Sequence, residues 1–392
     1  MGLPRLLVLV LAGGAGGRLE LLTEDRAKPA VPYGGEYRLI DFSLSNAGQS
    51  LAQDVWVVQQ YHPASLGDHL SNGRPWDLDR TDGGLRVLHP HRGDDREGWH
   101  QGTADALWRQ APLIRELDPE VIVVVSADAV YRADYRQIAD EHLESSAAAT
   151  MVTTEVDAED ASRYGVVVAD GEAVRDYAYK PDEPASTTVT TEVFALSPRP
   201  VLELLERLDD EVGEDGLGDL GDHLLPQLVE AGEARAMPYR DYWRDVGTVE
   251  AYWQSHQDLV AEDPPFRLDE PDWPIRTTGG RHGPARLLEG ARVERSLLSS
   301  GATVGGRVRG SVLSPGVVVE DGATVLDSVL LPGVVVRSGA RVQRAVLDDR
   351  VEVRAEAQVG GRTDVTLVGR GTLVRRGRRV EPGARVPEPK SD

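Results

Sequence analysis

The sequence predicts an α/β chain in two parts, an open and mostly parallel sheet domain followed by a parallel β-helix. Three observations carry that prediction. Residues 5–260 alternate short apolar runs with helix-like stretches, a motif returns every 15 to 17 residues from Ser296 onward, and prolines cluster between the two regions. At 392 residues and 40% apolar composition, the chain has enough material for two or three domains with proper cores.

Taken in order, Leu6–Leu11, Val55–Gln59 and Val121–Ser126 are near-continuous apolar runs, the pattern of strands buried on both faces of a parallel sheet. Leu6–Ala12 also has the length of a signal-peptide core, but one arginine precedes it and a glycine loop follows, which favours the strand. Thr103–Leu117 and Tyr135–Ser145 read as amphipathic helices, and Leu202–Arg207 and Val249–Ala261 as later ones. Such alternation implies βαβ units with a ligand crevice at the strands' C-terminal ends. Pro264, Pro265, Pro271 and Pro274 mark a stiff linker. The expected division is therefore 1–262, a linker at 263–284, and a solenoid at 285–386. In the solenoid, Ser296, Ser311, Ser328 and Ala345 each open a repeat that turns at glycine, proline or arginine and continues into a valine-rich run. Val304, Val319, Val325, Val336 and Val342 are its expected inward residues.

Composition excludes several classes of function. Cysteine is absent, which removes disulfides, thiolate metal sites and thiol nucleophiles. No apolar run is long enough to span a membrane, so the expectation is a cytoplasmic protein without a membrane partner. A net charge of −22 argues against nucleic acid as a partner. That charge is uneven. Residues 1–284 carry 25 basic against 52 acidic residues, whereas residues 285–386 carry 17 against 11. Solvated surface charge explains most of this; attraction between the two parts, or an anionic ligand near their junction, is the sharper reading. Among 43 basic residues only Lys28, Lys180 and Lys390 are lysines. In a chain that otherwise writes its cations as arginine, an interior lysine suggests a place where a compact ammonium is needed.

The first strand runs into Leu11-Ala-Gly-Gly-Ala-Gly-Gly-Arg-Leu19. Clustered glycines let backbone N–H groups crowd around an anion, and Arg18 at the expected helix start would add charge to a phosphate site. By itself the loop fits a tight turn equally well, being neither a dinucleotide fingerprint nor a Walker loop.

The continuation, Arg26-Ala-Lys-Pro-Ala-Val-Pro-Tyr-Gly-Gly35 and Tyr37-Arg-Leu-Ile-Asp-Phe-Ser-Leu-Ser-Asn46, resembles the sugar-1-phosphate nucleotidylyltransferases, specifically the bacterial glucose-1-phosphate adenylyltransferases (ADP-glucose pyrophosphorylases). Trp99–Ala106 and Tyr242–Trp253 resemble further blocks of that family, in the same order and spacing. The resemblance implies a Rossmann-like nucleotidyltransferase domain and a left-handed parallel β-helix. It also implies transfer of a nucleotidyl group from ATP to glucose 1-phosphate for glycogen or α-glucan synthesis, with Mg²⁺ as cofactor. The implied nucleotide contacts are Leu11, Ala12, Gly13, Gly14, Gly16, Arg18, Lys28, Gly102, Thr103 and Asp105. The implied sugar-phosphate contacts are His100, Gly165, Tyr179, Lys180, Thr188 and Asp245. Arg18, Lys28, Asp128 and Lys180 would be catalytic, Asp128 and Asp245 would hold the metal, and Arg26 would meet an effector. On their own residues the aspartates read otherwise: Asp128 could cap a turn, and Asp245 could pair with Arg244 or Arg240.

Several positions depart from the family pattern. Gly17 replaces Thr or Lys, Ala129 replaces a histidine after the metal acid, Tyr179 replaces a glutamate that binds glucose hydroxyls, and Thr188–Thr190 replaces Ser-Met-Gly. His100 stands where a tyrosine is usual, and no glutamine pair is recognisable around His89–Arg92. These changes gather on the sugar side. The alternatives they raise are a weakly active or regulatory paralogue, or an enzyme using a different sugar phosphate. The resemblance also implies a homotetramer with an anionic, sugar-phosphate effector. Asp25 replaces one effector lysine, and the Arg375, Arg376, Arg378, Arg379 run reads as a solvated coil. Acyl transfer, another activity of hexapeptide solenoids, is disfavoured because no histidine follows position 282.

Overall fold

In the computed structural model, which describes residues 4–14, 16–90, 98–213, 216–280 and 282–388, strand β1 (Leu6–Ala12) lies deep in the N-terminal part. Its residues divide by parity between two cores. Leu7 and Leu9 pack on one face, Leu6, Val8 and Val10 on the other, all without exposure. A small hairpin, β2 (Pro32–Tyr33) and β3 (Tyr37–Arg38), precedes helix α1 (Ile40–Gln49). Strands β4 (Asp54–Gln59), β5 (Gly84–Leu88) and β6 (Val121–Ser126) complete a parallel block with β1 in the order β5-β4-β1-β6.

The sheet is mixed beyond that block. Strand β7 (Ala129–Tyr131) leaves it, while β8 (Ala149–Glu155), β9 (Gly165–Asp170), β10 (Ala173–Tyr179), β11 (Thr188–Leu196) and β12 (Ala234–Pro238) extend it in the order β6-β11-β8-β12-β10-β9. Here only β12 and β8 run parallel; the other neighbours are antiparallel. Short connections such as the one joining β9 to β10 are too brief for a parallel crossover, which needs a dozen or more residues. Finally β13 (Trp243–Asp245) pairs with β7.

The helices depart from expectation in two places. The stretch 103–117 forms two helices, α3 (Thr103–Trp108) and α4 (Ala111–Leu117), because Pro112 has no N–H to bond back to Trp108. α2 (Pro63–Leu70) and α5 (Tyr135–Leu143) lie before and after them. α6 (Pro198–Val212) begins earlier than expected, since prolines are tolerated in a first turn. α7 (Leu224–Glu230) and α8 (Val249–Leu259) complete the set. Among the described residues no helix is long and apolar enough to cross a membrane.

From Arg286 to Val386 the chain winds through three parallel sheets of six short strands each. Val304, Val319, Val325, Val336 and Val342 are all fully buried along its axis. The serines that open each repeat have a structural reason. Ser311 Oγ donates to the Arg309 carbonyl and accepts the Ser328 N–H, and Ser328 Oγ repeats this with Leu326 and Ala345. Each hydroxyl thus satisfies backbone groups at a corner that the sheets leave open.

The two parts share one core. Leu19, Leu22, Tyr33, Phe42 and Tyr252 pack together with solenoid residues Val329, Leu331, Val346 and Leu367. The proline-rich stretch joins this core and is strapped down: Phe266 and Ile275 are buried in it, and Trp273 donates to Asn46. Ion pairs fasten the edges, with Arg344 on Glu250 at 2.6 Å and Arg385 on Glu20. Arg26, the expected effector contact, is nearly sealed at this junction, bonded to Asp348 and 3.4 Å from Asp349. Burial pushes the Asp348 carboxyl up despite Arg26, while the guanidinium, opposed by burial but facing both aspartates, keeps its charge.

Two outcomes follow from these contacts. Arg26→Ala strands the buried Asp348 and lowers unfolding free energy by about 3–5 kcal/mol, whereas Arg26→Ala with Asp348→Ala recovers most of that loss in a denaturant titration. His256 and His142 are buried, and burial lowers both imidazoles from 6.5 to about 4. They are neutral in the fold, so the unfolded chain binds their protons first. Stability is full above about pH 6.5 and falls as pH drops toward 4; a His142→Gln, His256→Gln double variant flattens that acid limb.

Candidate active site

The C-terminal ends of β1 and β6, the loop after β1 and the end of β11 enclose a cavity of about 280 Å³. Its wall holds Leu11, Ala12, Gly13, Gly14, Arg18, Lys28, His100, Gly102, Thr103, Asp128, Tyr179, Lys180 and Asp245, thirteen of the residues expected from sequence. Gly13 and Gly14 have no positive φ and a Cβ on Gly14 would meet no protein atom within 4 Å, so the room there is open to a ligand. The loop does not lead into an α-helix. It enters a 3-10 turn, Gly17–Leu22, broken at Glu20, so an anion here would meet backbone N–H groups and Arg18 rather than a helix terminus.

At the centre, Lys28 Nζ lies 2.6 Å from Asp128 Oδ2 and 3.7 Å from Asp245 Oδ1. The two aspartates come from distant segments, and sheet register joins them: β13 pairs with β7 so that Asp245 stands opposite Ala129, beside Asp128. Ser126 Oγ donates to the other oxygen of Asp128, and Arg163 reaches Asp245 Oδ2 at 3.4 Å. Burial would raise the Asp128 carboxyl, but the Lys28 charge and the hydrogen bonds from Lys28 and Ser126 hold it below its ordinary value. Burial does raise Asp245, because Lys28 only partly offsets it and Asp128 adds negative charge. Lys28, opposed by burial yet flanked by both carboxylates, holds its proton more firmly than a free lysine.

The far end of the cavity is built by β10, β11 and the loop before α7. The Tyr179 hydroxyl donates to Asp219 Oδ2 at 2.9 Å and accepts from Lys180 Nζ at 2.6 Å. Asp219 in turn receives the Thr103 N–H at 3.0 Å, which ties this end to α3. Gly102 has φ 104°, and a Cβ there would overlap the Gly218 carbonyl, so this close backbone approach requires glycine.

Sequence reasoning did not single out Gln60, Arg163, Glu192, Asp219 or Trp243, which also line the cavity. Gln60 follows β4 at the sheet's C-terminal edge and clamps the His100 backbone through both its amide atoms; that edge position was the available signal. Glu192 was visible as an acid next to the apolar Val193–Leu196 run. Burial, followed by the charge of Asp128, pushes its carboxyl up to about 7. Arg163 and Asp219 sit in irregular segments that carry no periodic signal.

Other expected residues stand behind the wall. Gly16 supports Lys28 and Thr23. Asp105 turns back to the Gln101 N–H and to Arg109. Gly165 is buried against Tyr177 and Thr190, and Thr188 bonds Glu155 at the rim of β11. Of the stretch 89–92, where no glutamine pair is recognisable, residues 91 and 92 lie outside the described residues, as does Lys390.

A glycine-lined anion loop facing two carboxylates at the edge of such a sheet marks a nucleotidyl-transferring enzyme, here joined to a hexapeptide solenoid. The family profile named Nucleotidyl transferase matches residues 7–262, and that of the GlmU-like C-terminal hexapeptide matches 284–366. A glucose-1-phosphate adenylyltransferase of Thermosipho africanus is 37% identical over 324 residues, 82% of this chain and 78% of that protein. Enzymes of the same name from Thermotoga neapolitana (40% over 322 residues, 81% of this chain and 75% of theirs) and Fusobacterium nucleatum (35% over 326 residues, 82% and 84%) are similar over the same extent. The chain belongs to the glucose-1-phosphate adenylyltransferase family.

The glycine geometry separates two roles by measurement. Gly14→Ala leaves thermal stability unchanged and raises the KM for nucleotide about tenfold. Gly16→Ala, at φ 72° with Lys28 and Thr23 carbons only 3.0 Å from the added methyl, costs about 1–2 kcal/mol of stability.

Proposed function

We propose that this cleft joins ATP to glucose 1-phosphate, releasing pyrophosphate and forming ADP-glucose. The observation that carries the reading is the convergence of Lys28, Asp128 and Asp245 beside the glycine loop, with Lys180 at the other end of the same cavity.

The chemistry asks for position and charge neutralisation. An oxygen of the sugar phosphate forms a bond to the α-phosphorus of ATP. The bond between that phosphorus and the α–β bridging oxygen breaks, and pyrophosphate leaves with the electron pair. Backbone N–H groups around Gly13 and Gly14 hold the phosphates, and Arg18 and Lys28 neutralise the triphosphate and its leaving half. Lys180 grips the sugar phosphate, and Tyr179 and Asp219 fix the direction of that ammonium.

The donor set at Asp128 and Asp245 fits Mg²⁺. Two hard carboxylates share the Lys28 ammonium, Arg163 reaches Asp245 only at 3.4 Å, and burial still raises the Asp245 carboxyl. Among the described residues no cluster of three or more ligating side chains exists, so further ligands would be phosphate oxygens and water, the environment magnesium prefers. Bound there, the ion would supply charge stabilisation to the α- and β-phosphates. An incoming triphosphate draws Lys28 away from the carboxylates and frees them for that role. ATP and a sugar phosphate as substrates make the cytoplasm the matching compartment.

Purified protein given ATP, Mg²⁺ and glucose 1-phosphate releases pyrophosphate, and Asp128→Asn lowers turnover about 100-fold or more while the protein stays folded by circular dichroism. Wild-type rates in that variant, or no pyrophosphate from the parent protein, overturn the reading. Exchanging ATP for UTP, dTTP or GTP, and glucose for mannose or glucosamine phosphates, ranks the substrates.

A further inference from the structure

Glu192 stands out in the cavity because the fold holds it there at a cost and gives it nothing to bind. It sits in β11, where the pairing with β8 jumps from Thr190 opposite Thr153 to Phe194 opposite Met151. Thr191, Glu192 and Val193 therefore span the place of one residue, Val152, on the partner strand. Such a bulge re-aims a side chain. Thr191 Oγ1 anchors the bulge on the Val152 carbonyl, and Glu192 takes φ 60°, a left-handed conformation unfavourable for a side chain of this kind.

The re-aimed carboxylate forms part of the cavity wall, together with Tyr179, Lys180, Thr191 and Asp219. Among the described residues no hydrogen bond or ion pair reaches it. Its surroundings are mostly of its own sign. Asp128, Asp219 and Asp245 repel it, Lys180 alone among its main electrostatic neighbours attracts it, and that ammonium is bonded to the Tyr179 hydroxyl. A half-buried carboxyl group without hydrogen-bond partners, beside acids of its own sign, is destabilising, and so is the backbone strain beneath it. The neighbouring acid, Asp219, differs in this respect, since Thr103 and Tyr179 already occupy its oxygens. Glu192 is the acceptor at this end that remains open to a ligand.

We propose that Glu192 is a specificity-determining residue whose carboxylate accepts hydrogen bonds from hydroxyl groups of the sugar when a hexose 1-phosphate lies with its phosphate on Lys180. This rests on the activity proposed above. The ligand chemistry is that of a neutral polyol carried on a phosphate. Lys180 answers the phosphate charge, while Glu192 reads the hydroxyls, which can donate to an acceptor that has two oxygens free. Those hydroxyls supply the hydrogen-bond partners that the carboxylate lacks in the free protein. Glu192 takes no part in bond making at phosphorus.

The test compares the parent with Glu192→Gln and Glu192→Ala, using glucose 1-phosphate and its 2-, 3-, 4- and 6-deoxy analogues at saturating ATP. The parent discriminates against at least one deoxy analogue about tenfold or more in kcat/KM. In Glu192→Ala the KM for glucose 1-phosphate rises about tenfold, the KM for ATP moves less than about twofold, and the deoxy penalty shrinks to about threefold or less. Glu192→Gln, nearly the same shape, keeps part of the discrimination and unfolds at a temperature no lower than the parent, because no protein contact is lost. An unchanged deoxy penalty and sugar KM in an active Glu192→Ala protein overturn this inference alone, as does a fall in unfolding temperature for Glu192→Gln with discrimination intact. A parent that releases no pyrophosphate from any of these sugar phosphates overturns the underlying activity and this inference with it.

Discussion

The ammonium of Lys28 between Asp128 and Asp245 is the interaction on which the cleft depends. Two carboxylates in a confined cavity repel each other, and without a cation one of them would take up a proton. Lys28 holds the pair in its charged arrangement before any ligand arrives. Much of the surrounding architecture serves to put these three groups together. β1 and its loop lead to Lys28, β6 ends just before Asp128, and the β7–β13 pairing brings Asp245 alongside. In the mechanism proposed above, Lys28 would exchange these carboxylates for an incoming polyphosphate, an exchange of ionic partners that limits the desolvation cost of either state.

The same segment that delivers Lys28 also fastens the chain to its solenoid. Arg26, two residues earlier, ends in the buried contact with Asp348 and Asp349, and Leu19, Leu22 and Tyr33 feed the core shared with Val329, Val346 and Leu367. A shift of the solenoid against the sheet domain would therefore be felt at the glycine loop and at Lys28. The proline-rich stretch reinforces this coupling, since Phe266, Trp273 and Ile275 pack onto the domain. The solenoid is a structural continuation of the cleft's supporting wall.

Residue choices at the two ends of the cavity follow different constraints. The end at the loop after β1 is lined by glycine backbone and by the cations Arg18 and Lys28, the groups proposed above to meet phosphate. The end at β10 and β11, proposed above to meet the sugar, relies on side chains placed by irregular backbone, with Lys180 at φ 47° and Glu192 at φ 60°. Strained positions of this kind persist where the surrounding structure over-determines them, here through the bulge in β11 and the Tyr179–Asp219–Thr103 chain of hydrogen bonds.

By itself the sequence determined the parts governed by local periodicity and by contiguous motifs. The apolar runs of β1, β4 and β6, the coil repeat with its buried valines, and the glycine loop with Lys28 were all legible, because burial on both faces and the turns of a solenoid leave a regular imprint along the chain. Asp128 and Asp245 were legible only through whole-family motifs, since nothing local distinguishes them from surface acids. Tertiary structure decided the rest. The antiparallel half of the sheet, the break at Pro112, the sealing of Arg26, and the entry of Gln60, Arg163, Asp219 and Glu192 into the cavity depend on register, bulges and loop closure between distant segments. At position 179 the sequence shows a tyrosine where the family resemblance implied a carboxylate. That another carboxylate stands opposite, on β11, could emerge only once the strands had found their partners, because a one-residue change of pairing sends a side chain to the other face.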